Sequence, residues 1–462
     1  MTSRPTATTF RLTEASYADG EVRLGYAFDE GATMVERIRF PGAPAAVPSG
    51  REAAFARALA LLHGIAGVSY WKALVPERIV VDGEPFDPAL AALLDEVWLH
   101  GLGEFAHANG LDLRGRIRFP HADQSAPAAT ALGLQRRALV PIGGGKDSLV
   151  SIETLKRAEE PVAVVWIGRS DLIRACAQAT GQPLLNIERE IAPELFELNR
   201  RGAWNGHIPV TAINSAILVL AALLYGYDEI VFSNEASASA GNLVVGELDI
   251  NHQWSKGLRF EALFAGYVSE AIAPDLRYYS LLRPFSELAV TERFAALTRY
   301  HPLFSSCNRN FRILGERPSS RWCGECPKCR FVFLALAPFM SKPALLAIFG
   351  RNLLDEPEQM EGFDALLEFG AVKPFECVGE GRESRAALLA LSARADWRED
   401  ALVRRFVDEV LPRIDAGGLE LEPLLRPAGE HRVPERLWAS LGLRPEVPPR
   451  YSRGEGGASG AG

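Results

Sequence analysis

Between residues 138 and 158 a short apolar segment, ALVPI (138–142), runs into three glycines and then into a helical pattern, SLVSIETLKRA (148–158). A buried strand that turns through glycine into a helix opens a βα unit, and successive βα units build a parallel sheet covered on both faces. The following segments repeat the alternation: PVAVVWIG (161–168) reads as a strand and DLIRACAQAT (171–180) as a helix ended by Gly181. A helix at 210–225 and a third strand, DEIVFSN (228–234), come next. Residues 131–330 are therefore expected to form an α/β domain with a doubly wound parallel sheet.

The loop itself is Gly143, Gly144, Gly145, Lys146, Asp147 and Ser148. Glycines let the backbone turn sharply and approach a ligand, and a helix start offers free N–H groups to phosphate. It is not a Walker A loop, which needs glycine where Val140 stands and Ser or Thr where Asp147 stands. Nor is it G-x-G-x-x-G, since the third glycine would fall on Ser148. Asp147 would repel phosphate without a cation between them, which Mg²⁺ on pyrophosphate supplies. The alternative is a tight turn with Asp147 as a helix cap.

The flanking regions differ in pattern. In residues 1–130, EVRLGYAF (21–28) and MVERIRF (34–40) alternate as antiparallel strands do, and helical patterns follow at 52–63 and 88–101. GVSYWKALVPERIVVDG between them reads as turn, strand and turn, so this region is a smaller α+β domain. Residues 331–445 are mostly helical, with stretches at 343–349, 384–394 and 399–413 around the loop GAVKPFECVGEGRES. The Gly- and Ser-rich tail, 446–462, is expected to be disordered.

A chain of 462 residues with 48% hydrophobic content can bury several cores. Its formal net charge of −8 argues against a nucleic-acid partner but not against small anions. The apolar stretch from Ala212 to Tyr227 is too short to span a bilayer and is interrupted by Asn214 and Ser215. The first residues, MTSRPTATTFRLTE, lack the apolar centre of a signal peptide, so no membrane partner and a cytoplasmic location are expected.

Four of six cysteines cluster as Cys307, Cys323, Cys326 and Cys329. Four thiolates at this spacing suit a closed, structural zinc site. An iron–sulfur cluster is the competitor, although ferredoxin runs continue with Cys and Pro where Arg330 and Phe331 stand here. His301 is close enough in sequence to replace Cys307. Cys176, within a helix, reads as core.

Ligands of parallel α/β sheets sit beyond the carboxyl ends of the strands. Asn234 and Glu235 end one strand, Asn251, His252 and Lys256 share a polar loop, and Asn205 and His207 precede a helix. Polar loops also arise without function. Cys377 lies beside Glu376 and Glu380, acidic neighbours expected to raise its pKa.

GGGKDS resembles the S-G-G-x-D-S loop of the PP-loop ATP pyrophosphatases, with Gly143 where Ser is usual. That resemblance implies a loop holding pyrophosphate and Mg²⁺, the latter on Asp147, with ATP cleaved between its α and β phosphates. It also implies adenosine near Ile167 and Gly168. GVSYWK and GLGEF near the N-terminus, then GGGKDS, NGHIPVTAIN, SNEASAS, INHQWSK, CGECPKC and KPFECVG, in this order over residues 10–410, resemble the MurL family. The resemblance implies that ATP and Mg²⁺ are used to convert the terminal L-Glu of a UDP-muramoyl dipeptide to D-Glu, releasing AMP and pyrophosphate. On that reading His252 is the candidate base, Cys377 the second, and Lys256 a donor to the adenylate oxygen. His207, Asn234, Glu235 and Asn251 would then bind substrate. The competing expectations are another PP-loop enzyme, of tRNA thiolation or deazaguanine nitrile synthesis, and a nucleotide-binding regulator without turnover.

Overall fold

The computed structural model describes residues 4–246, 248–311 and 318–443; the tail at 446–462 lies outside them. Eleven strands are present among these residues: β1 (Thr9–Ala18), β2 (Glu21–Phe28), β3 (Met34–Arg39), β4 (Arg78–Val81), β5 (Gln135–Pro141), β6 (Val162–Ile167), β7 (Leu184–Glu190), β8 (Tyr227–Phe232), β9 (Leu243–Val245), β10 (Leu248–Ile250) and β11 (Arg277–Ser280). Nine form one sheet in the order β11-β8-β5-β6-β7-β3-β2-β1-β4, and β9 and β10 form a separate hairpin.

From β11 to β7 every neighbouring pair is parallel. Their apolar runs follow from burial on both faces, as parallel strands under crossover helices require. Successive side chains point to opposite faces. Leu139, Ala163, Val165 and Ile230 accordingly join one core, beneath helices Glu52–Ala66 and Val210–Tyr225. Ala138, Val140, Val162, Val164 and Val231 join the other, with helices Lys146–Arg157, Glu287–Ala295 and Pro327–Leu336. The helical run Glu52–Trp71 has the length and apolarity to span a bilayer, but most of it is buried inside the molecule.

Strands of the first region join the same sheet, because β3 pairs antiparallel with β7. At this junction the Arg189 guanidinium meets the fully buried Glu36 carboxylate at 2.8 Å. The Tyr70 hydroxyl donates to Glu36 at 3.1 Å and accepts from Ala192 N–H at 3.0 Å. Sequence reading missed β7 because LLNIERE is only partly covered and carries charges on both faces. It also took VSYW for a turn, whereas Val68–Trp71 is helical and fully buried, continuing the preceding helix through Gly67.

The order of strands places the site. The chain leaves β5 toward β6 and β7 on one side, and β8 and β11 lie on the other. A crevice therefore opens beyond the carboxyl ends of β5 and β8, where the winding reverses.

Candidate active site

The glycine loop occupies this crevice. Gly144 has φ +81°, a left-handed conformation that disfavours a side chain. Its carbonyl accepts from Ser305 N–H at 2.9 Å. A Cβ on Gly145 would stand 2.8 Å from Ser306 Oγ, whereas one on Gly143 meets nothing within 4 Å. Serine at 143 is thus sterically permitted, and its absence removes only a hydroxyl. Gly145 is the N-cap of helix Lys146–Arg157 and caps it with no side chain, leaving first-turn N–H groups for a ligand.

A cavity of about 330 Å³ is lined by Gly143, Gly145, Asp147 and Ser148 together with Asn234, Lys256, Lys328 and Cys377. Ser305, Ser306 and Asn308 line its other wall. The Lys146 ammonium is buried in contact with the Asp147 and Glu287 carboxylates. Burial pushes its pKa down, but those two charges outweigh burial and raise it. Burial would raise the Asp147 pKa; Lys146 and Lys328 outweigh it and keep Asp147 ionised. An ionised carboxylate facing the cavity is the oxygen donor Mg²⁺ takes.

The remaining predicted residues divide. Asn234 is buried and donates to Ser280 Oγ at 3.1 Å. Glu235 is buried, and its carbonyl accepts from Arg283 at 2.7 Å. Arg283 also donates to the Lys256 carbonyl and, at 2.9 Å, to Glu261, fixing both site loops to one guanidinium. Asn251 uses its side chain locally, toward Ala238 O and Gln253 N–H, and does not line the cavity. Ile167 and Gly168 close β6, with the Gly168 carbonyl taken by Asn186 at 2.8 Å, and neither lines the cavity.

His252, Lys256 and Cys377 meet although 121 residues separate the last two. Lys256 Nζ lies 3.1 Å from Cys377 Sγ, and the His252 imidazole is near enough to favour the thiolate. The local reading of Cys377 is corrected here. Burial does push its pKa up, but Lys256, His252 and Lys328 bring it down to about 6. Glu376, in contrast, accepts from Lys328 N–H at 3.2 Å. Burial lowers the pKa of His252, yet Cys377 and Glu104 raise it to about 9. Lys256 is raised likewise, against burial, chiefly by Cys377.

Two residues went unpredicted. Glu104, in helix Gly103–Asn109, contacts His252 Nδ1 and lies 3.7 Å from His207 Nδ1. The two imidazole rings are 4.3 Å apart. Burial and the neighbouring His252 drive His207 down to about 4, so it is neutral. The ligand atoms of Glu104, His207 and His252 lie within 4.8 Å of one another, and the His252 imidazole hydrogen-bonds the Glu104 carboxylate. Lys328 donates to the Cys377 carbonyl and lies 3.8 Å from Glu287. Its signal was present in sequence, since it lies inside the CGECPKC motif, but there the cysteines drew the whole interpretation.

That motif forms a cluster. The ligand atoms of Cys307, Cys323, Cys326 and Cys329 all lie within 4.8 Å of one another. Two of the Sγ separations are 3.7 and 3.5 Å. Zn–S bonds of about 2.3 Å in a tetrahedron put sulfurs about 3.8 Å apart, so the set is compatible with one structural zinc ion. His301 is not part of the set; its Nε2 faces the Phe294 carbonyl.

The fold and loop define an α/β protein with a glycine loop that opens a helix at its topological switch point. Family profiles narrow the class: "MurL N-terminal domain" matches residues 1–281 and "MurL C-terminal domain" matches residues 303–418. The chain belongs to the MurL family. A relative from Xanthomonas oryzae pv. oryzae, named UDP-N-acetyl-alpha-D-muramoyl-L-alanyl-L-glutamate epimerase, is 62% identical over 419 residues, covering 91% of this chain and 93% of the relative. Proteins of the same name from Salinispora tropica and a Micromonospora species are 41% and 42% identical. These matches cover 95% and 93% of this chain and 96% of each relative.

Proposed function

We propose that this protein is an ATP-dependent epimerase that converts the terminal L-Glu of UDP-MurNAc-L-Ala-L-Glu to D-Glu, with a PP-loop ATP pyrophosphatase site driving the reaction. The observation that carries this reading is one cavity holding both a phosphate-type loop and a charged Cys377–Lys256 pair. A loop alone would suit any nucleotide-binding protein; a lowered-pKa thiol beside it suits proton transfer.

The chemistry gives a reason for the pairing. A carboxylate resists loss of its α-proton because the product would be a dianion. Joining the carboxylate to AMP removes that charge and acidifies the α-carbon. The free amides at 145–148, with Lys328, hold the departing pyrophosphate. Asp147 would be the protein donor to Mg²⁺, which when bound would supply charge neutralisation on the phosphates. Adenosine extends toward Ile167 and Gly168. Lys256, an ammonium at neutral pH, is placed to stabilise negative charge on the acyl oxygen. His207, Asn234 and Glu235 hold the substrate around this centre, and Asn251 shapes the turn that carries His252. Cys307, Cys323, Cys326 and Cys329 would hold a structural zinc ion, which would fix Cys329 and with it the neighbouring Lys328. A tRNA substrate is disfavoured by the net charge of −8.

The test is incubation of the protein with UDP-MurNAc-L-Ala-L-Glu, ATP and Mg²⁺, followed by chiral analysis of the glutamate. ATP-dependent appearance of D-Glu is expected. Glutamate that remains L while the fold and the metal are intact would refute the assignment.

A further inference from the structure

Glu104, His252 and Cys377 come from three distant segments and line up as carboxylate, imidazole and thiol. We propose that Cys377 Sγ, as a thiolate, takes the α-proton of the activated glutamyl group, and that Glu104 is a positioning residue that keeps His252 charged beside it. The assignment rests on the adenylation reading above.

Geometry carries the choice of Cys377 over His252. Cys377 lines the cavity that the loop lines. His252 lies behind it, held on its far side by Glu104 and through its backbone N–H by Asn242 Oδ1 at 2.9 Å. Asn242 also donates to the Pro374 carbonyl at 2.9 Å, locking the His252 turn against the segment that bears Cys377. The charges agree with the geometry. Lys256, His252 and Lys328 face Cys377; Glu235 and Asp147 face Lys256; Glu104 and His207 face His252. With His252 at about 9, its imidazole is already protonated at neutral pH and has no lone pair to offer. With Cys377 at about 6, its thiolate predominates there.

The step balances. The Cα–H bond breaks, an S–H bond forms on Cys377, and the electron pair stays on the α-carbon, delocalised into the acyl carbonyl. A solvent-exchangeable proton arriving on the opposite face completes inversion, the Cys377 thiol returns its proton to water, and water then attacks the acyl carbon, breaking its bond to the AMP oxygen to release the D-glutamyl carboxylate and AMP. His252 and Lys256 keep their protons throughout. Exchange should therefore rise with pH through about 6, as the thiolate forms, and fall near 9, as His252 loses its charge.

The experiment uses the full chain in D₂O with UDP-MurNAc-L-Ala-L-Glu, ATP and Mg²⁺, following α-deuterium incorporation and pyrophosphate release separately. In Cys377→Ser, pyrophosphate release should persist, which reports an intact fold and loop. Deuterium incorporation should fall by roughly 100-fold or more, the range of a lost general base. Glu104→Gln should keep its KM for ATP, lower kcat, and move the acid limb of the exchange profile to higher pH. Iodoacetamide alkylation of Cys377, followed by peptide mass, should shift in the same direction. Wild-type exchange in Cys377→Ser, loss of pyrophosphate release together with exchange, or an unmoved acid limb in Glu104→Gln would overturn the proposal. So would a hydroxylamine-sensitive glutamyl adduct on Cys377, which would make it a nucleophile. Wild-type exchange without pyrophosphate would overturn adenylation instead, and its loss in Cys377→Ser would still support Cys377.

Discussion

Replacing Gly144 by alanine separates conformational strain from crowding. Gly144 has φ +81°, and a Cβ there would approach Ile173 no closer than 3.5 Å, an ordinary contact. Space is therefore available, and the cost lies in holding an L-residue in the left-handed region, about 1–2 kcal/mol. Gly143→Ala is the control, because its Cβ would meet nothing within 4 Å and its φ is not positive. The loop can relax without unfolding the protein, so the strain should appear as a smaller population of the binding-competent loop. That predicts ATP affinity weaker by roughly 5- to 30-fold in Gly144→Ala. Gly143→Ala should stay close to wild type. Equilibrium binding of a non-hydrolysable ATP analogue with Mg²⁺ measures both. Equal losses in the two variants, or wild-type affinity in Gly144→Ala, would show that the loop does not bind nucleotide in this conformation.

Other perturbations test the supports of the site. Lys146→Met removes the nearer of the two buried cations beside the Glu287 carboxylate, whose side chain is 3% exposed, and leaves only Lys328 at 3.8 Å, at a cost of about 3 kcal/mol in denaturant unfolding; Glu287→Gln added to it should recover part of that loss. Cys329→Ser should abolish zinc binding, measured by elemental analysis, and should lower pyrophosphate release with it, because Lys328 is the adjacent residue; zinc lost without any effect on turnover would separate the two. Arg283→Met should lower stability and kcat together, since one guanidinium holds the Glu235 and Lys256 backbones; an unchanged kcat would show that these loops keep their places without it.

The glycine loop, the flanking strands and the cysteine knuckle were legible because each is local. Apolar runs, turn chemistry and the Cys323, Cys326 and Cys329 spacing are each written within about ten consecutive residues, with Cys307 alone lying further off. The encounter of His252, Lys256 and Cys377 had only its members legible, not their arrangement. Cys377 shows why. Its sequence neighbours are acidic, yet the groups that set its charge state come from positions 252, 256 and 328, brought in by the fold. Glu104 lies inside the GLGEF segment of the family resemblance, but locally it is one polar residue of a short helix whose buried side is Phe105. β7 escaped for a related reason: its charges find partners far off in sequence, Arg189 with Glu36 and Glu190 with Arg39, about 150 positions apart.

The central claim is that the substrate carboxylate becomes joined to AMP. Substrate carrying ¹⁸O in the α-carboxylate of its terminal glutamate tests this directly, with the nucleotide product read by mass spectrometry. The account predicts AMP bearing one ¹⁸O, formed together with unlabelled pyrophosphate. Unlabelled AMP, or ADP with orthophosphate in its place, would contradict it.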